Sequence, residues 1–397
     1  MIPIAAEPGT ETTGSPAGVQ ARARREPAER HVPVLDGIRG VAILLVLTIH
    51  FTLISRETLF GGVISRIAGL GWSGVDLFFV LSGYLITGKL LESRESPYYF
   101  RGFYARRILR IFPLYYVFLA FAFWVAPIVA PGLGEPPASG LRPFYWLYWQ
   151  NFLVAVEGAS PPALLGVTWS LAIEEQFYLA WPLVVRLTPP RRLPQLLAGL
   201  FGGELVLRAA ALAFGVSTSF LYFRTQYRLD GLVLGALIAV LLREPATADV
   251  CRKAARFLLP ASAVALAVIT AVEGGFAGRR PLVSVAGFSA LALFFGSLLA
   301  ILVTSPERSP HVRLFSGRIL RSFGKYSYGI YILHIPVLLW LQKRFPMPEL
   351  AAAHGDLPAQ LIYWVVGFGG SFLLALISWH LMEKWFLRLK RVLPSRA

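Results

Sequence analysis

The sequence predicts an all-α integral membrane protein, a bundle of about ten transmembrane helices with both termini in the cytoplasm. Three observations predict this fold class. Of the 397 residues, 56% are hydrophobic and 15% are charged, whereas soluble domains have roughly 45–50% apolar and about 25% charged residues. Long apolar stretches recur along the chain after the first thirty residues. The third observation is the distribution of the basic residues, which give the chain a net charge of +16.

The apolar stretches set the number of predicted helices, because a bilayer core requires about 20 mostly apolar residues per helix. The predicted spans are roughly residues 34–55, 71–91, 108–129, 165–187, 194–214, 227–242, 254–272, 282–304, 324–343 and 360–386. The sixth is short. Residues 143–156 are aromatic and too short to span, which predicts an interfacial or re-entrant helix.

The basic residues predict the orientation. With the N-terminus placed in the cytoplasm, 27 of the 38 Lys and Arg residues fall on the cytoplasmic side and 8 on the outer side. Arg39, Arg208 and Arg228 lie within spans. Membrane proteins concentrate basic residues in cytoplasmic loops, so this distribution predicts a multi-pass protein of the cytoplasmic (inner) membrane. It also accounts for the net charge without nucleic acid, which we do not expect as a partner.

The segments outside the spans are short. Residues 1–30 lack the apolar core of about 7–15 residues that a signal peptide needs, and their composition predicts a disordered cytosolic tail. Residues 31–390 are predicted to form one membrane domain, and residues 391–397 a short basic cytosolic tail. The single cysteine, Cys251, excludes an internal disulfide.

Charged residues within spans need a partner, a wet cavity or a function, because each costs at least ~2.5–3.5 kcal/mol at the bilayer centre on insertion scales. In the first span, Asp36 and Arg39 share a face near the cytoplasmic end. His50 projects from nearly the same side as Arg39, about 16 Å further along the helix. Asp76, in the second span, is expected near the depth of His50, and the alternative is a carboxylate at a helix start or in a loop.

The third and fourth spans carry two further groups of charges. Arg106, Arg107 and Arg110 lie at the cytoplasmic edge of the third span. They indicate either ordinary anchoring or a site for phosphates, whose geometry suits Arg donors. Glu174 and Glu175 are adjacent in the middle of the fourth span, and at most one of them faces a given cavity squarely because neighbouring side chains on a helix diverge.

Further polar residues lie within the later spans. Glu204 and Arg208 are four residues apart and are expected to form a structural pair. The sequence does not decide whether His334, near the middle of the ninth span, is packed or functional.

The predicted depths place a group of basic residues on the cytosolic side, below a histidine and carboxylates. That arrangement suits an anionic cytosolic donor with acid–base chemistry above it.

Five long motifs carry a resemblance to a known family: LDGIRGVAILLVLTIH, GVDLFFVLSGYLIT, ARRILRIFPLYY, TWSLAIEEQFYLAWPL and KYSYGIYILHIP. Together, over about residues 31–390, they resemble the acyltransferase-3 family of membrane O-acyltransferases. The family includes enzymes that acetylate O-antigens, exopolysaccharides, Nod factors and peptidoglycan, and others that acylate macrolide sugars. The resemblance implies an acyltransferase of groups other than aminoacyl. It would move an acyl group, usually acetyl, from cytosolic acyl-CoA to a hydroxyl of a carbohydrate or glycosylated acceptor.

The resemblance also implies roles for individual residues. The family's pattern of Arg, ten residues and His matches Arg39 and His50, which the family treats as essential. Its Arg-x-x-Arg pattern matches Arg107 and Arg110, implicated with the CoA donor. The glutamate of its WSL-x-x-E-x-x-F-Y-like pattern matches Glu174.

The two lines of reasoning agree on His50. A histidine can take a proton from a hydroxyl near neutral pH, or it can carry the acyl group itself. A histidine is a more effective base when a carboxylate orients its other nitrogen. The catalytic candidates are His50, Asp76, Glu174 and Glu175, and the donor-binding candidates are Asp36, Arg39, Arg107 and Arg110. No metal is expected.

Some family members carry a fused C-terminal hydrolase-like (SGNH) domain, for which the 397 residues leave no room. The chain is therefore expected to complete the transfer itself or to pass the acyl group to a separate periplasmic partner.

The main alternative function is a proton-coupled transporter of a small anionic or sugar substrate, since carriers also have carboxylates and histidines within their spans.

Overall fold

The computed structural model describes residues 32–131, 137–157 and 162–390, and all regular secondary structure in those ranges is helical. The predicted tails, residues 1–30 and 391–397, lie outside the described residues. The α-helices are α1 (Pro33–Phe51), α2 (Leu59–Ala68), α3 (Gly74–Glu92), α4 (Tyr99–Ala120), α5 (Ala126–Val129), α6 (Arg142–Trp146), α7 (Gln150–Glu157), α8 (Thr168–Leu187), α9 (Leu193–Ala213), α10 (Thr218–Phe223), α11 (Asp230–Leu241), α12 (Pro245–Glu273), α13 (Phe288–Thr304), α14 (Pro310–Phe315), α15 (Arg318–Arg344), α16 (Met347–His354), α17 (Asp356–Ser378) and α18 (Lys384–Leu389). Turns of 3₁₀-helix cover Gly69–Ser73, Ser139–Leu141, Ala163–Leu165 and Thr225–Tyr227, and π-helical turns cover Phe121–Val125, Val283–Gly287 and Trp379–Glu383.

Seven stretches of the described chain are long and apolar enough to cross a membrane, which supports a multi-pass membrane protein. They are Pro33–Phe51, Leu59–Glu92, Tyr99–Val129, Leu193–Ala213, Pro245–Glu273, Val283–Thr304 and Asp356–Leu389. Three further predicted spans coincide with helices that do not meet the same standard. Of these, α11 is shorter, and α8 and α15 carry more polar residues.

Short-range signals account for several helix ends. Proline at the first position begins α12, where its missing N–H has no intrahelical partner to lose. The same helix ends at Glu273, and the Gly274 that follows has a φ of +65°, the left-handed conformation that glycine adopts without strain. Thr58 caps α2 by accepting a hydrogen bond from the Gly61 N–H at 3.0 Å.

Glycines bring α1 and α15 together with almost no space between their backbones. A Cβ atom at Gly40 would lie 2.0 Å from the carbonyl oxygen of Leu320. One at Gly324 would lie 1.7 Å from the carbonyl oxygen of Asp36. Small residues allow this approach between helices in a membrane, where packing rather than the hydrophobic effect holds helices together. The α1–α15 pair is therefore fixed at the end of α1 that carries Asp36.

We expect Gly324→Ala to destabilise the bundle by roughly 1–3 kcal/mol or more, because the added methyl group overlaps a backbone atom that no side-chain rotation can move. The measurement is the thermal unfolding midpoint of the purified protein in detergent. Gly199→Ala on α9 is the matched control, since a Cβ there meets no atom within 4 Å. Equal midpoints for the two variants would contradict the close packing of α1 and α15.

The chain that follows α1 is held by one side chain of α17. The fully buried amide of Gln360 accepts hydrogen bonds from the N–H groups of Leu53 and Ile54, each at 2.8 Å. It also donates to the carbonyl of Phe51 at 2.7 Å. The bond to Phe51 satisfies a carbonyl group that the end of a helix leaves without an intrahelical partner. The three bonds fix the backbone directly after His50.

Candidate functional site

Two histidine rings meet inside the bundle. His50, in the last turn of α1, is half-buried, and His334, near the middle of α15, is fully buried. The ring centroids are 4.8 Å apart and the ring planes are inclined by 69°. The sequence alone does not pair these histidines, because they are on helices far apart in the chain. The structure brings His334 to the residue that the sequence places at the centre of the site.

In both rings the Nδ1 atom forms a hydrogen bond with a backbone carbonyl. The Nδ1 atom of His50 is 2.8 Å from the carbonyl oxygen of Val46. The Nδ1 atom of His334 is 2.8 Å from the carbonyl oxygen of Tyr331 and 3.2 Å from that of Ile330. Since a carbonyl oxygen only accepts, Nδ1 carries the proton in each neutral ring. The Nε2 atom of each ring therefore holds the lone pair.

A tyrosine links this pair to the glutamate helix. The hydroxyl of Tyr331 donates to the carbonyl of Val167 at 3.1 Å, and it also shares a hydrogen bond with Ser170 on α8. The Tyr331 ring centroid lies 6.0 Å from that of His334. The start of α8 is thus joined to α15 beside His334.

The two adjacent glutamates of α8 have different surroundings, as their divergence on the helix predicts. Glu174 accepts hydrogen bonds from the hydroxyl of Ser82 on α3 and from that of Tyr178 at 3.2 Å. The Oε1 atom of Glu175 is buried and has no hydrogen-bond partner among the described residues. Glu174 is thus held in place by two hydroxyls, whereas Glu175 has an acceptor atom to spare.

The predicted donor-binding arginines converge from α1 and α4. Arg39 forms an ion pair with Asp36 at 2.6 Å, in agreement with their shared face. It also lies within electrostatic range of Arg107 and Arg110. The guanidinium of Arg107 lies 5.6 Å from the ring centroid of Tyr178, and its charge interacts with both glutamates of α8. Among the described residues, neither Arg107 nor Arg110 has a hydrogen-bonding partner or an ion pair.

Asp76 does not orient His50 through any hydrogen bond of the described chain. Its carboxylate instead accepts from Arg228 at 2.9 Å, and both side chains are buried. The guanidinium of Arg228 also lies 3.7 Å from the ring centroid of Phe288. Asp76 lies in the first turn of α3, which packs so tightly on α11 that a Cβ at Gly235 would lie 2.0 Å from the Val80 carbonyl oxygen. This packing directs the carboxylate toward the arginine that precedes α11.

The expected pair of Glu204 and Arg208 is present, with 3.4 Å between the charged atoms. Sequence reasoning missed a second partner, since Arg208 also pairs with Asp230 at 3.0 Å. The same guanidinium donates to the hydroxyl of Ser289 at 2.6 Å. This buried cluster joins α9, α11 and α13. Its ion pairs and hydrogen bond provide partners for charged groups that would otherwise need water.

The aromatic segment predicted to be interfacial or re-entrant contains the short helices α6 and α7. Buried amides attach it to α8 and α4. Gln150 donates to the carbonyl of Thr168 at 2.8 Å and to the hydroxyl of Tyr115 at 3.2 Å. Gln176 donates to the side chain of Asn151 at 2.9 Å. Sequence analysis had not assigned these amides, although polar residues in a strongly apolar chain were a signal for them.

No group of three or more His, Cys, Asp or Glu side chains in the described ranges is arranged to hold a metal ion. The candidate site consists of the histidine pair, the glutamates of α8 and the arginines of α1 and α4. It offers unprotonated imidazole nitrogens, a spare carboxylate oxygen and several guanidinium donors. Such a set can bind an anion and move a proton.

Known proteins are similar in sequence to this chain over most of its length. The peptidoglycan O-acetyltransferase OatA of Listeria monocytogenes is 29% identical over 324 residues, which are 78% of this chain and 50% of that protein. The putative peptidoglycan O-acetyltransferase YrhL of Bacillus subtilis is 28% identical over 373 residues, 89% of this chain and 55% of that protein. The O-acetyltransferase OatA of Staphylococcus aureus is 27% identical over 369 residues, with coverages of 89% and 57%.

The chain thus spans about half the length of the curated relatives it matches. No solved structure matches it significantly. The family model described as an acyltransferase domain matches residues 32–380. This match covers all five motifs on which the resemblance rests and confirms it. The chain belongs to the acyltransferase-3 family and carries its acyltransferase domain.

Proposed function

We propose that this protein is a membrane O-acetyltransferase that moves an acetyl group from cytosolic acetyl-CoA to a hydroxyl of a cell-wall polysaccharide. The names of the relatives support the acetyl group, and two of them name peptidoglycan. The observation that carries the proposal is the arrangement of the site. A cluster of arginines at one end of α1 and an unprotonated histidine nitrogen at its other end are what an anionic acyl donor and a hydroxyl acceptor require.

The arginines suit the donor. Arg39 is paired with Asp36, whereas Arg107 and Arg110 have no ion pair among the described residues, and guanidinium donors match phosphate oxygens in geometry. We place the phosphates of CoA against Arg107 and Arg110, and the part nearer the thioester at Arg39. Arg39 and His50 are eleven residues apart on α1, about 16 Å at the rise of a helix. An extended pantetheine arm can bridge that distance.

His50 suits the transfer. With Nδ1–H held by the Val46 carbonyl, its Nε2 atom can accept the proton of the acceptor hydroxyl or attack the thioester. Glu175 offers the spare carboxylate oxygen near Arg107, whereas Glu174 is occupied by Ser82 and Tyr178. We therefore propose that Glu175 is the glutamate whose negative charge acts in the site, and that Glu174 supports it.

We propose a topology of ten spans with both termini in the cytoplasm. The three helices that add to the seven most apolar stretches are α8, α11 and α15. The polar residues of α8 and α15 include the glutamates and His334 and lower the hydropathy of these two helices, whereas α11 is apolar but short. The excess of basic residues on one side supports the orientation in the cytoplasmic membrane. The arginines then face the compartment that contains acyl-CoA.

The test uses the purified protein in lipid nanodiscs with acetyl-CoA and peptidoglycan fragments. We expect release of the CoA thiol and formation of O-acetyl esters on the glycan. Thiol release without ester on any glycan would indicate that a separate partner completes the transfer. If acetyl-CoA is neither bound nor consumed, the proposal is wrong, and proton-coupled uptake by reconstituted vesicles then tests the transporter alternative.

The donor site makes a kinetic prediction. We expect Arg107→Gln to raise the KM for acetyl-CoA roughly 10–100-fold with little change in kcat, because a lost charge-assisted hydrogen bond costs ~1.5–3 kcal/mol of binding. Steady-state kinetics of thiol release measure both constants. Arg101→Gln is the matched control, since Arg101 is an exposed arginine on the same helix. Equal KM values for the two variants would exclude Arg107 from the donor site.

A further inference from the structure

We propose that His334 is a second catalytic residue of the transfer site, the base that takes the proton of the acceptor hydroxyl after His50 has received the acyl group. This inference rests on the proposed function and assigns a division of labour to the two histidines. It starts from the geometry of the pair, whose ring centroids are 4.8 Å apart.

The unpartnered nitrogen of His334 is the first argument. The side chain is fully buried, and its Nε2 atom has no hydrogen-bond partner among the described residues. Its Nδ1–H is held by the Tyr331 carbonyl, so Nε2 carries a lone pair and can only accept. The nearby hydroxyl of Tyr331 is already committed to Val167 and Ser170. A buried acceptor without a partner costs free energy, so its retention calls for a ligand group.

The chemistry of a two-step transfer is the second argument. An acyl group on Nε2 of His50 occupies the lone pair that would otherwise act as the base. The hydroxyl that attacks the acyl-imidazolium then requires another base within reach, and His334 is the neighbouring imidazole. His50 is only half-buried and is on the helix that carries Arg39, so it is the ring placed to meet the donor.

The acyl group moves in two steps. Nε2 of His50 attacks the thioester carbon, the C–N bond forms, the C–S bond breaks, and the CoA thiolate leaves. The acceptor oxygen then attacks the acyl carbon while its proton passes to Nε2 of His334. The C–O bond forms, and the C–N bond breaks and returns its electron pair to His50. The His334 imidazolium gives up the proton that the thiolate gains, so the net products are the ester and the free thiol.

The decisive variant is His334→Asn. Its amide can keep a donor where Nδ1–H now holds the Tyr331 carbonyl, but it places nothing at the position of Nε2. With radiolabelled acetyl-CoA and no acceptor, we expect label to accumulate on the protein after rapid quenching. On addition of the acceptor, label on the wild type should clear, whereas label on His334→Asn should clear about 10²–10⁴-fold more slowly.

His334→Gln provides the second variant, because its amide oxygen can accept a hydrogen bond near the position of Nε2 but cannot take up a proton. It should show the same slow clearance. His380→Asn is the matched control, since exposed His380 holds the Leu376 carbonyl through Nδ1 at 2.9 Å. It should clear its label like the wild type. Thermal unfolding midpoints show which variants are folded.

Every other outcome overturns the inference. Clearance at the wild-type rate in folded His334→Asn and His334→Gln excludes a proton-accepting role. Loss of labelling in both folded variants places His334 before the acyl-enzyme, contrary to the proposal. Full turnover by the wild type without any trapped label means direct transfer, which removes this inference and leaves the proposed function intact. A wild-type protein that neither binds nor consumes acetyl-CoA removes both.

Discussion

The substitution His50→Ala is expected to lower the rate of acetyl transfer by about 100-fold or more, which is the typical contribution of a positioned acid–base group. The helix bundle should stay folded. The contacts that position this end of α1 are made by the residues that follow His50, because Gln360 forms hydrogen bonds with the backbone of Phe51, Leu53 and Ile54. Thiol release and ester formation measure the chemistry, and the thermal unfolding midpoint measures the fold.

The matched control for this variant is Thr48→Ala. Thr48 is half-buried on the same helix and donates to the carbonyl of Leu44 at 2.8 Å, a bond of the same spacing as that of His50 with Val46. It should retain nearly full transfer. If His50→Ala folds and transfers acetyl at the wild-type rate, the role of His50 is wrong, and so is the inference about His334 that depends on it.

Contacts within one helix were predictable from the sequence, because the helical period alone fixes which residues share a face. The spacing of Asp36 and Arg39 predicted a shared face, and the structure shows their ion pair. The spacing of Glu204 and Arg208 predicted theirs in the same way. The prediction required no knowledge of the neighbouring helices.

Contacts between helices were not predictable in the same way. Asp76 was placed near His50 because their estimated depths agree, but depth does not give the rotation of a helix about its axis. That rotation is set by glycine contacts such as Gly235 on Val80, and it turns Asp76 toward Arg228. The meeting of His334 with His50 depends in the same way on the close approach of α1 and α15.

Two of the helices that carry site residues, α8 and α15, are not among the seven most apolar stretches, whereas α1 and α4 are. The residues Glu174, Glu175 and Gln176 lower the hydropathy of α8 below that of the seven most apolar stretches. Functional residues break the local rules that otherwise specify a span, and the rest of the fold compensates for them. Here the compensation is specific, since Ser82 and Tyr178 hold Glu174 and Asn151 holds Gln176.

The variant Arg228→Met is expected to be among the most destabilising single changes in the chain. It leaves the buried carboxylate of Asp76 without its cation, and breaking a buried pair in this way costs ~3–5 kcal/mol. The methionine retains the apolar contact with Phe288, so the loss of charge dominates. We expect a large fall in the thermal unfolding midpoint and in the yield of monodisperse protein. The exposed pair of Lys253 and Asp249 is the control, since Lys253→Met should leave the thermal unfolding midpoint nearly unchanged.

The double variant Asp76→Leu with Arg228→Met then separates structure from catalysis. Removing both charges leaves neither buried group unpaired, so stability should recover most of what Arg228→Met loses. If Asp76 serves the fold alone, the recovered protein transfers acetyl at a rate close to that of the wild type. A double variant that folds but does not transfer would return Asp76 to the catalytic role that its depth first suggested. A double variant as unstable as Arg228→Met would show that the loss comes from packing around the arginine rather than from the unpaired carboxylate.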